Sequence, residues 1–219
     1  MHKSQAGALA AVAALDEPTR RRLYEYVARQ PEPVSRDDVA AALSVPRATV
    51  AFHLDRLVDE RLLVVVGHER RSGRSGPGAG RPAKLYRRSD RHVSVSLPER
   101  QYELAGELLA AAVEEADETG GAPREILGRR AREHGVRLAA GAPDVVATLE
   151  ENGFEPRAEG GEVLLGNCPF HRLARTHTQL VCEMNLGLLE GMLEGAGDHH
   201  LRARLDPRPG LCCVRLAPA

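Results

Sequence analysis

Apolar positions recur at helical spacing in the first third of the chain. Leu23 and Val27 lie one turn apart, as do Val50 and Leu54, and charged residues surround each pair. This spacing predicts three short amphipathic helices between residues 16 and 60, whose apolar sides face a shared core. That core is expected to be aliphatic, because Trp is absent and only 3% of all residues are aromatic.

Polar residues mark where these helices begin. Asp16 is expected to cap the first helix. Ser35, followed three residues later by Asp38, predicts a capping box for the second. Pro46 is expected to begin the third helix, after a tight turn at Ser44-Val45. Two short helices joined in this way predict a helix-turn-helix.

The third helix is predicted to read DNA. Val50 and Leu54 face the core, so the outer side of the helix is left to polar residues, which are Arg47, Thr49, His53 and Arg56. Arg can donate a pair of hydrogen bonds to guanine, and Thr can contact a thymine methyl group or a phosphate. His or Arg can also hold backbone phosphates. The alternative is a solvated charged face with a capping threonine.

A basic, glycine-rich segment follows. The runs Leu62–Val66 and Ala83–Tyr86 predict strands on either side of it. Between Gly67 and Arg91 there are eight Lys or Arg and two acidic residues. Such a loop cannot form a core, and we expect it to bind the DNA backbone as a wing, with a disordered basic linker as the alternative. The predicted contacts are Arg70, Arg71, Arg74, Arg81 and Lys84.

Charge divides the chain into two parts. Residues 1–90 contain sixteen Lys and Arg against eleven Asp and Glu, and the remainder contains fourteen against twenty. The basic part suits a polyanionic partner. We therefore predict a winged helix-turn-helix DNA-binding domain over residues 1–92 and a dimerisation and sensor domain over residues 93–219.

No segment predicts a membrane partner. The apolar run before Leu15 is alanine-rich and leads directly into a charged helix, so we interpret it as a leading helix rather than a signal peptide. No stretch reaches the ~18 apolar residues that a membrane span needs. A cytoplasmic location is expected, in which thiols stay reduced.

The second part predicts a small α+β domain. A long helix from Glu99 to about Asp117 carries an apolar ridge beside acidic residues, and we expect it to pair with its twin in a homodimer. An intramolecular core helix is the alternative. The other predicted elements are helices at about Arg124–Ala140, Pro143–Asn152 and Thr178–Leu193, a hairpin around Gly160-Gly161, and strands Leu201–Leu205 and Leu211–Leu216. The predicted fold class is therefore α+β, a winged helix-turn-helix joined by a long helix to a small α+β sensor domain.

All the cysteines lie in this second domain, together with a nearby histidine; they are Cys168, Cys182, Cys212, Cys213 and His171. Thiolates from separate elements, with a histidine or an exogenous ligand, predict a soft-metal site for an iron–sulfur cluster or for zinc. There is no Cys-x-x-Cys pair, and burial as small apolar side chains is the alternative. Adjacent cysteines on a strand face opposite ways, so only one of the last two is expected to be a ligand.

Residues 16–88 resemble the DNA-binding domain of ArsR-type winged-helix repressors. The segments Ala48–Leu57 and Gly80–Tyr86, the latter reading Gly-Arg-Pro-Ala-Lys-Leu-Tyr, are similar to the SufR-like branch. One residue departs from this pattern, because Arg61 stands where many relatives have Gly to end the recognition helix. A left-handed backbone at Arg61 would be mildly strained.

The C-terminal region also resembles the sensor domain of SufR-like repressors. The likeness is carried by Asn167-Cys168-Pro169-Phe170-His171 and by Cys182-Glu183. In that branch the cysteines hold an iron–sulfur cluster that controls DNA binding, and the resemblance implies the same function here.

These observations predict a homodimeric transcriptional regulator, expected to repress, that binds a palindromic operator in double-stranded DNA. Its DNA binding would be controlled by an iron–sulfur cluster or by the thiol or metal state of the second domain. A constitutive DNA binder with an inert, metal-free second domain is the first alternative. An enzyme using Cys168 with His171 or His177 is another, but no oxyanion loop, phosphate cradle or orienting acid accompanies them. The Cys168-Pro169 dipeptide could also ligate haem.

Overall fold

The computed structural model describes residues 3–69 and 83–219, and the side chains of residues 6–67 and 83–219. Within it the chain forms two compact units, Met1–Val95 and Ser96–Ala219. The predicted boundary after residue 92 lies close to this division. Among the described helices, none is both long and apolar enough to cross a membrane. Helices and small antiparallel sheets are mixed along the chain, which confirms the predicted α+β class.

The N-terminal unit combines helices with one small sheet. In chain order its described elements are α1 (Lys3–Ala14), α2 (Pro18–Ala28), β1 (Val34–Ser35), α3 (Arg36–Leu43), α4 (Arg47–Asp59), β2 (Leu63–Glu69) and β3 (Ala83–Arg88). The strands are antiparallel and lie in the order β1-β3-β2. The predicted helix-turn-helix and the two strands beside the basic segment are therefore present.

The core of this unit is mainly aliphatic, as the composition indicates. Val50, Leu54 and Leu57 of α4 are completely buried, which confirms the predicted inward face of that helix. They pack with Leu23 of α2 and with Tyr86 of β3. The buried stripe fixes which side of α4 remains outside.

Local signals set the helix ends. Ser35 and Asp38 form the predicted capping box, in which each side chain accepts a hydrogen bond from the other residue's backbone N–H. The cap of α2 differs from the prediction, because Glu17 rather than Asp16 accepts from the backbone N–H groups of Thr19 and Arg20. Glu17 directly precedes Pro18, the first helical residue, so its longer side chain can fold back onto the first turn.

Arg61, just after α4, ends that helix in the left-handed conformation. Its φ is +57°, and the backbone N–H of the next residue, Leu62, donates to Leu57 O at 2.9 Å. Glycine normally occupies such a position because a Cβ is strained there. Arg61 therefore adopts the left-handed conformation that glycine usually supplies at a helix end, and it adds a basic side chain there.

The C-terminal unit contains the rest of the elements. They are α5 (Tyr102–Thr119), α6 (Pro123–Ala139), α7 (Val145–Glu151), β4 (Pro156–Glu159), β5 (Glu162–Leu165), α8 (His171–Thr176), α9 (Thr178–Ala196), β6 (Leu201–Leu205) and β7 (Val214–Pro218). The four strands form an antiparallel sheet in the order β4-β5-β7-β6. The core of the unit gathers buried side chains from its helices and its sheet.

Helix α5 begins later than the sequence predicts, at Tyr102 rather than Glu99. The preceding residues are held by the loop after β5: Asn167 Nδ2 donates to Glu99 O at 3.2 Å, and the Gln101 N–H donates to Pro169 O at 3.2 Å. Arg100 also donates to Cys168 O at 2.9 Å. These tertiary hydrogen bonds replace the first turn of the predicted helix.

Strand β7 is also displaced from its predicted position, because it begins at Val214 rather than Leu211. The N–H of Cys212 donates to Leu165 O, and the N–H of Asp206 donates to Cys213 O. Both cysteines therefore lie in the connection that leads into the strand. The prediction that both cysteines lie on the strand is wrong, so the strand alternation from which their opposite directions were predicted does not apply.

Helices α6 and α9 pack backbone against backbone. Gly187, Gly191 and Gly195 recur every four residues along α9, which places them on one face. A Cβ at any of them would lie within 3.0 Å of a carbonyl oxygen of α6. Gly135 of α6 faces the backbone of α9 in the same way. The two helices approach closely only because these four positions have no side chain.

Candidate functional site

The turn before α4 positions the predicted recognition helix. Ser44 ends α3 in the left-handed conformation, with φ of +53°, and the Val45 N–H donates to Ala40 O at 3.2 Å. Helix α4 then buries the Val50 side of its surface. Its opposite face presents Ala48 and Phe52, both exposed.

The predicted basic contacts on α4 are accessible, and each has an acidic partner. Arg47 Nε lies 2.6 Å from Asp37 Oδ1 on α3. Arg56 is 2.6 Å from the Glu60 carboxylate that follows the helix. Both arginines are more than half exposed, and surface pairs of this kind contribute little to stability. A phosphate can therefore replace the carboxylate at small cost. Thr49, the other predicted contact on this helix, is half-buried.

His53 does not lie where the sequence analysis predicts. It is 8% exposed, and its Nε2 is 3.5 Å from Glu17 Oε2 at the start of α2. The expectation of an outward-facing side chain is wrong, because His53 lies three residues after Val50 and shares its side of the helix. His53 therefore connects α4 to the cap of α2.

The electrostatics of Glu17 reflect this connection. Burial by itself would raise the pKa of Glu17, but the backbone N–H groups of Arg20 and Thr19 outweigh it. Nearby His53 acts in the same direction, so the pKa of Glu17 is held below its ordinary value. The charged carboxylate is thus the form that caps the helix.

The wing is described only at its base. Strands β2 and β3 pair from Leu63↔Arg88 to Glu69↔Ala83, with an irregularity between Val65 and Gly67. Lys84 Nζ lies 3.0 Å from Asp55 Oδ1 of α4, so it ties β3 to the recognition helix. The other predicted wing contacts lie outside the described residues; they are Arg70, Arg71, Arg74 and Arg81.

The four cysteines lie together in the C-terminal unit. Cys168 follows β5, Cys182 lies in the second turn of α9, and the last two precede β7. The side chains of Cys168 and Cys212 interact, as do those of Cys182 and Cys213, and an electrostatic interaction joins Cys182 to Cys168. We call these four residues the cysteine cluster. All are free thiols; three of them are buried, and Cys213 is partly exposed.

The thiols of the cluster are not equivalent. A hydrogen bond from Cys212 holds the pKa of Cys168 below its usual value, helped by the Phe170 N–H and Arg100 and opposed by burial. The same hydrogen bond, together with burial, raises the pKa of Cys212. Burial and the neighbouring Cys213 raise the pKa of Cys182 to about 12. Cys168 is therefore the thiol most readily ionised of these three.

A buried amide borders the cluster. Asn185 is 1% exposed, and its Nδ2 lies 3.3 Å from Cys212 Sγ. Its Oδ1 has no hydrogen-bond partner among the described residues. Asn185 is not among the predicted site residues, although its position three residues after Cys182 on a helix predicts that the two share a face.

The donor types of the cluster suit a soft metal, since four thiols are gathered from three segments. Their side chains interact as two pairs, Cys168 with Cys212 and Cys182 with Cys213. In residues 6–67 and 83–219, no group of three or more His, Cys, Asp or Glu is arranged to hold a metal ion. His171, which was predicted to be a metal ligand, is exposed at the start of α8. The site thus fits a metal by its chemistry and would require side-chain rearrangement to coordinate one.

Comparison with known proteins supports the interpretation of the N-terminal unit. Residues 15–66 match the family model of a helix-turn-helix domain. No curated protein and no solved structure matches the chain. The matched segment contains α2, α3 and α4, and it supports a DNA-binding transcriptional regulator, a class that is typically not enzymatic. The closer likeness to the SufR-like branch stays a prediction.

Proposed function

We propose that this chain is a transcriptional repressor that binds a palindromic operator as a homodimer, and that the cysteine cluster controls its affinity for DNA. The observation that carries the proposal is the helix-turn-helix, whose helix α4 buries one face and presents the other outward. A helix of this kind enters the major groove. The basic sequence between β2 and β3 adds contacts to the phosphate backbone.

Helix α5 supports the proposed dimer. It faces the core of its own unit with Ala105, Leu108 and Ala112, which agrees with the intramolecular alternative for that side. It also carries Tyr102 and Val113, which are 37% and 53% exposed. A second copy meeting this apolar side would form a two-fold contact. Two N-terminal units related by this two-fold axis would match half-sites about one DNA turn apart.

The cysteine cluster is the proposed control site, and Cys168, Cys182, Cys212 and Cys213 would hold the ligand. When bound, an iron–sulfur cluster would supply redox sensitivity, and zinc would supply a structural cross-link. The chain contributes buried thiols on three separate segments. Any change of their state acts on α9, which packs against α6, which in turn contacts α5.

The first experiment addresses DNA binding. Fluorescence anisotropy on a duplex selected from a random pool should show an affinity that falls steeply with salt, by a slope of about 0.9 for each phosphate contacted. Replacing Arg70, Arg71 and Arg74 with Gln should reduce that slope by up to about 3. Arg202→Gln, an exposed arginine of the C-terminal unit, is the matched control. Equal slopes for the two variants would contradict the role of the wing.

The second experiment addresses the cysteine cluster. Protein purified without oxygen is analysed for iron, sulfide and zinc per chain, and its affinity for the selected duplex is measured before and after chelation. We expect the wild-type protein to contain stoichiometric metal and Cys168→Ser to lose it. We also expect chelation to change the affinity of the wild-type protein for the duplex. Metal-free protein with unchanged affinity would remove the cluster from the control mechanism.

A constitutive DNA binder remains the second candidate function. The specific observation that favours it is that the described residues contain no group of three or more His, Cys, Asp or Glu arranged to hold a metal ion. This candidate requires that oxidants, chelators and Cys→Ser substitutions all leave the affinity for DNA unchanged. The same measurements therefore separate the two candidates.

A further inference from the structure

The centre of the outer face of α4 is apolar. Phe52 is 67% exposed, more than any other large hydrophobic side chain described in the N-terminal unit. Ala48, one turn earlier, is also exposed and has no side chain beyond Cβ. The Phe52 ring meets the buried His53 ring edge-on, with centroids 5.2 Å apart. The ring of Phe52 is therefore the largest exposed apolar group on the outer face of α4.

The basic side chains lie at the margins of this face. Arg47 is held toward α3 by Asp37, and Arg56 toward the end of α4 by Glu60. Lys84 reaches across from β3 to Asp55. The charges thus surround Phe52 without covering it, which suits positioning on phosphates around an apolar reading group.

We propose that Phe52 determines specificity by contacting the 5-methyl group of a thymine in the major groove. The inference rests on the proposed DNA-binding function and names the base that the recognition helix reads at its centre. The thymine methyl is the apolar feature of the major groove, and side chains such as Phe and Ala contact it. Ala48 allows the helix to approach closely enough for the ring to reach the base.

The test uses a duplex selected from a random pool by the full-length chain. Each thymine of the selected site is replaced in turn by deoxyuridine, which lacks only the methyl group. At one thymine per half-site the wild-type affinity should fall about fourfold, the factor expected for exposing one buried methyl. Phe52→Ala should bind the thymine and deoxyuridine duplexes equally at that position, while Phe52→Leu should keep part of the preference.

Val12→Ala is the matched control, because Val12 is a half-exposed apolar residue on α1, outside the helix-turn-helix. It should retain the full preference for thymine. Circular dichroism checks that the Phe52 variants fold, which their exposure leads us to expect.

Three results would overturn the inference. Phe52→Ala could keep the wild-type preference, or the selected site could contain no thymine whose methyl affects binding. In either case the proposed function would stand. If the wild-type chain selects no sequence and binds duplexes only as a general polyanion, both the proposed function and the inference fail.

Discussion

The two main helix pairs of this molecule hold together in opposite ways. In the N-terminal unit, α2 and α4 pack through side chains, with Leu23 and Leu54 completely buried between them. In the C-terminal unit, α6 and α9 pack through the absence of side chains at positions such as Gly191. The first pair is stabilised by apolar side chains buried in a shared core. The second pair is stabilised by the close contact of two helix backbones. The two pairs should therefore fail under opposite substitutions.

Removing a side chain should damage the N-terminal pair most. Leu54→Ala leaves a cavity in a completely buried site, and such changes cost about 3–5 kcal/mol. Hydrogen exchange should show loss of protection in α2 and α4, with α6 and α9 unchanged. Ala110→Gly, an exposed position of the other unit, is a control for the effect of shortening a side chain. Equal loss of protection in both units would contradict independent cores.

Adding one methyl group should damage the C-terminal pair. In Gly191→Ala the new Cβ meets the Arg132 backbone, and we expect a loss of about 3 kcal/mol, the upper end of overpacking costs. Gly128→Ala is the matched control on α6, because nothing lies within 4 Å of its added Cβ. That control should stabilise the unit by up to about 1 kcal/mol through helix propensity. Denaturant unfolding measures the change in the free energy of unfolding for both variants. Changes of the same sign in the two variants would refute the close approach of the helices.

The smallest expected effect concerns pH and the cap of α2. Because the folded-state pKa of Glu17 is lowered from 4.5, its contribution is present above that ordinary value and is lost as pH falls through the lowered one. Glu17→Gln should therefore flatten the acid side of the stability profile of the N-terminal unit. Glu25→Gln, on the exposed side of the same helix, serves as the control. Thermal unfolding between about pH 2 and 7 covers the relevant range. Parallel stability profiles for the wild type and Glu17→Gln would contradict the role of Glu17 as a cap.

The same contrast explains what the sequence could predict. The Ser35 capping box and the buried stripe from Val50 are local patterns, and the structure confirms both. The contact between Glu17 and His53 joins two helices, so it does not follow from the sequence of either helix alone. The pattern did contain a signal for His53, namely its place three residues after Val50.

The C-terminal unit was harder to predict because its packing depends on residues without side chains. Gly187, Gly191 and Gly195 leave no mark on a hydrophobic pattern, although their four-residue spacing could have indicated a close helix contact. The gathering of the cysteines was expected from the order of elements. The start of β7 could not be predicted, because the hydrogen bond from Cys212 to Leu165 is a tertiary one.

The glycine contact between α6 and α9 also has a mechanical consequence. Two helices whose backbones touch cannot slide or tilt independently without creating a void, so we expect them to move together as one rigid body. Helix α9 has 19 residues, which makes it about 28 Å long. Cys182 lies near one end of it. A tilt of about 5° imposed by thiol chemistry at that end would displace the other end by about 2.5 Å, slightly more than the ~1–2 Å helix shifts by which switching proteins transmit a signal.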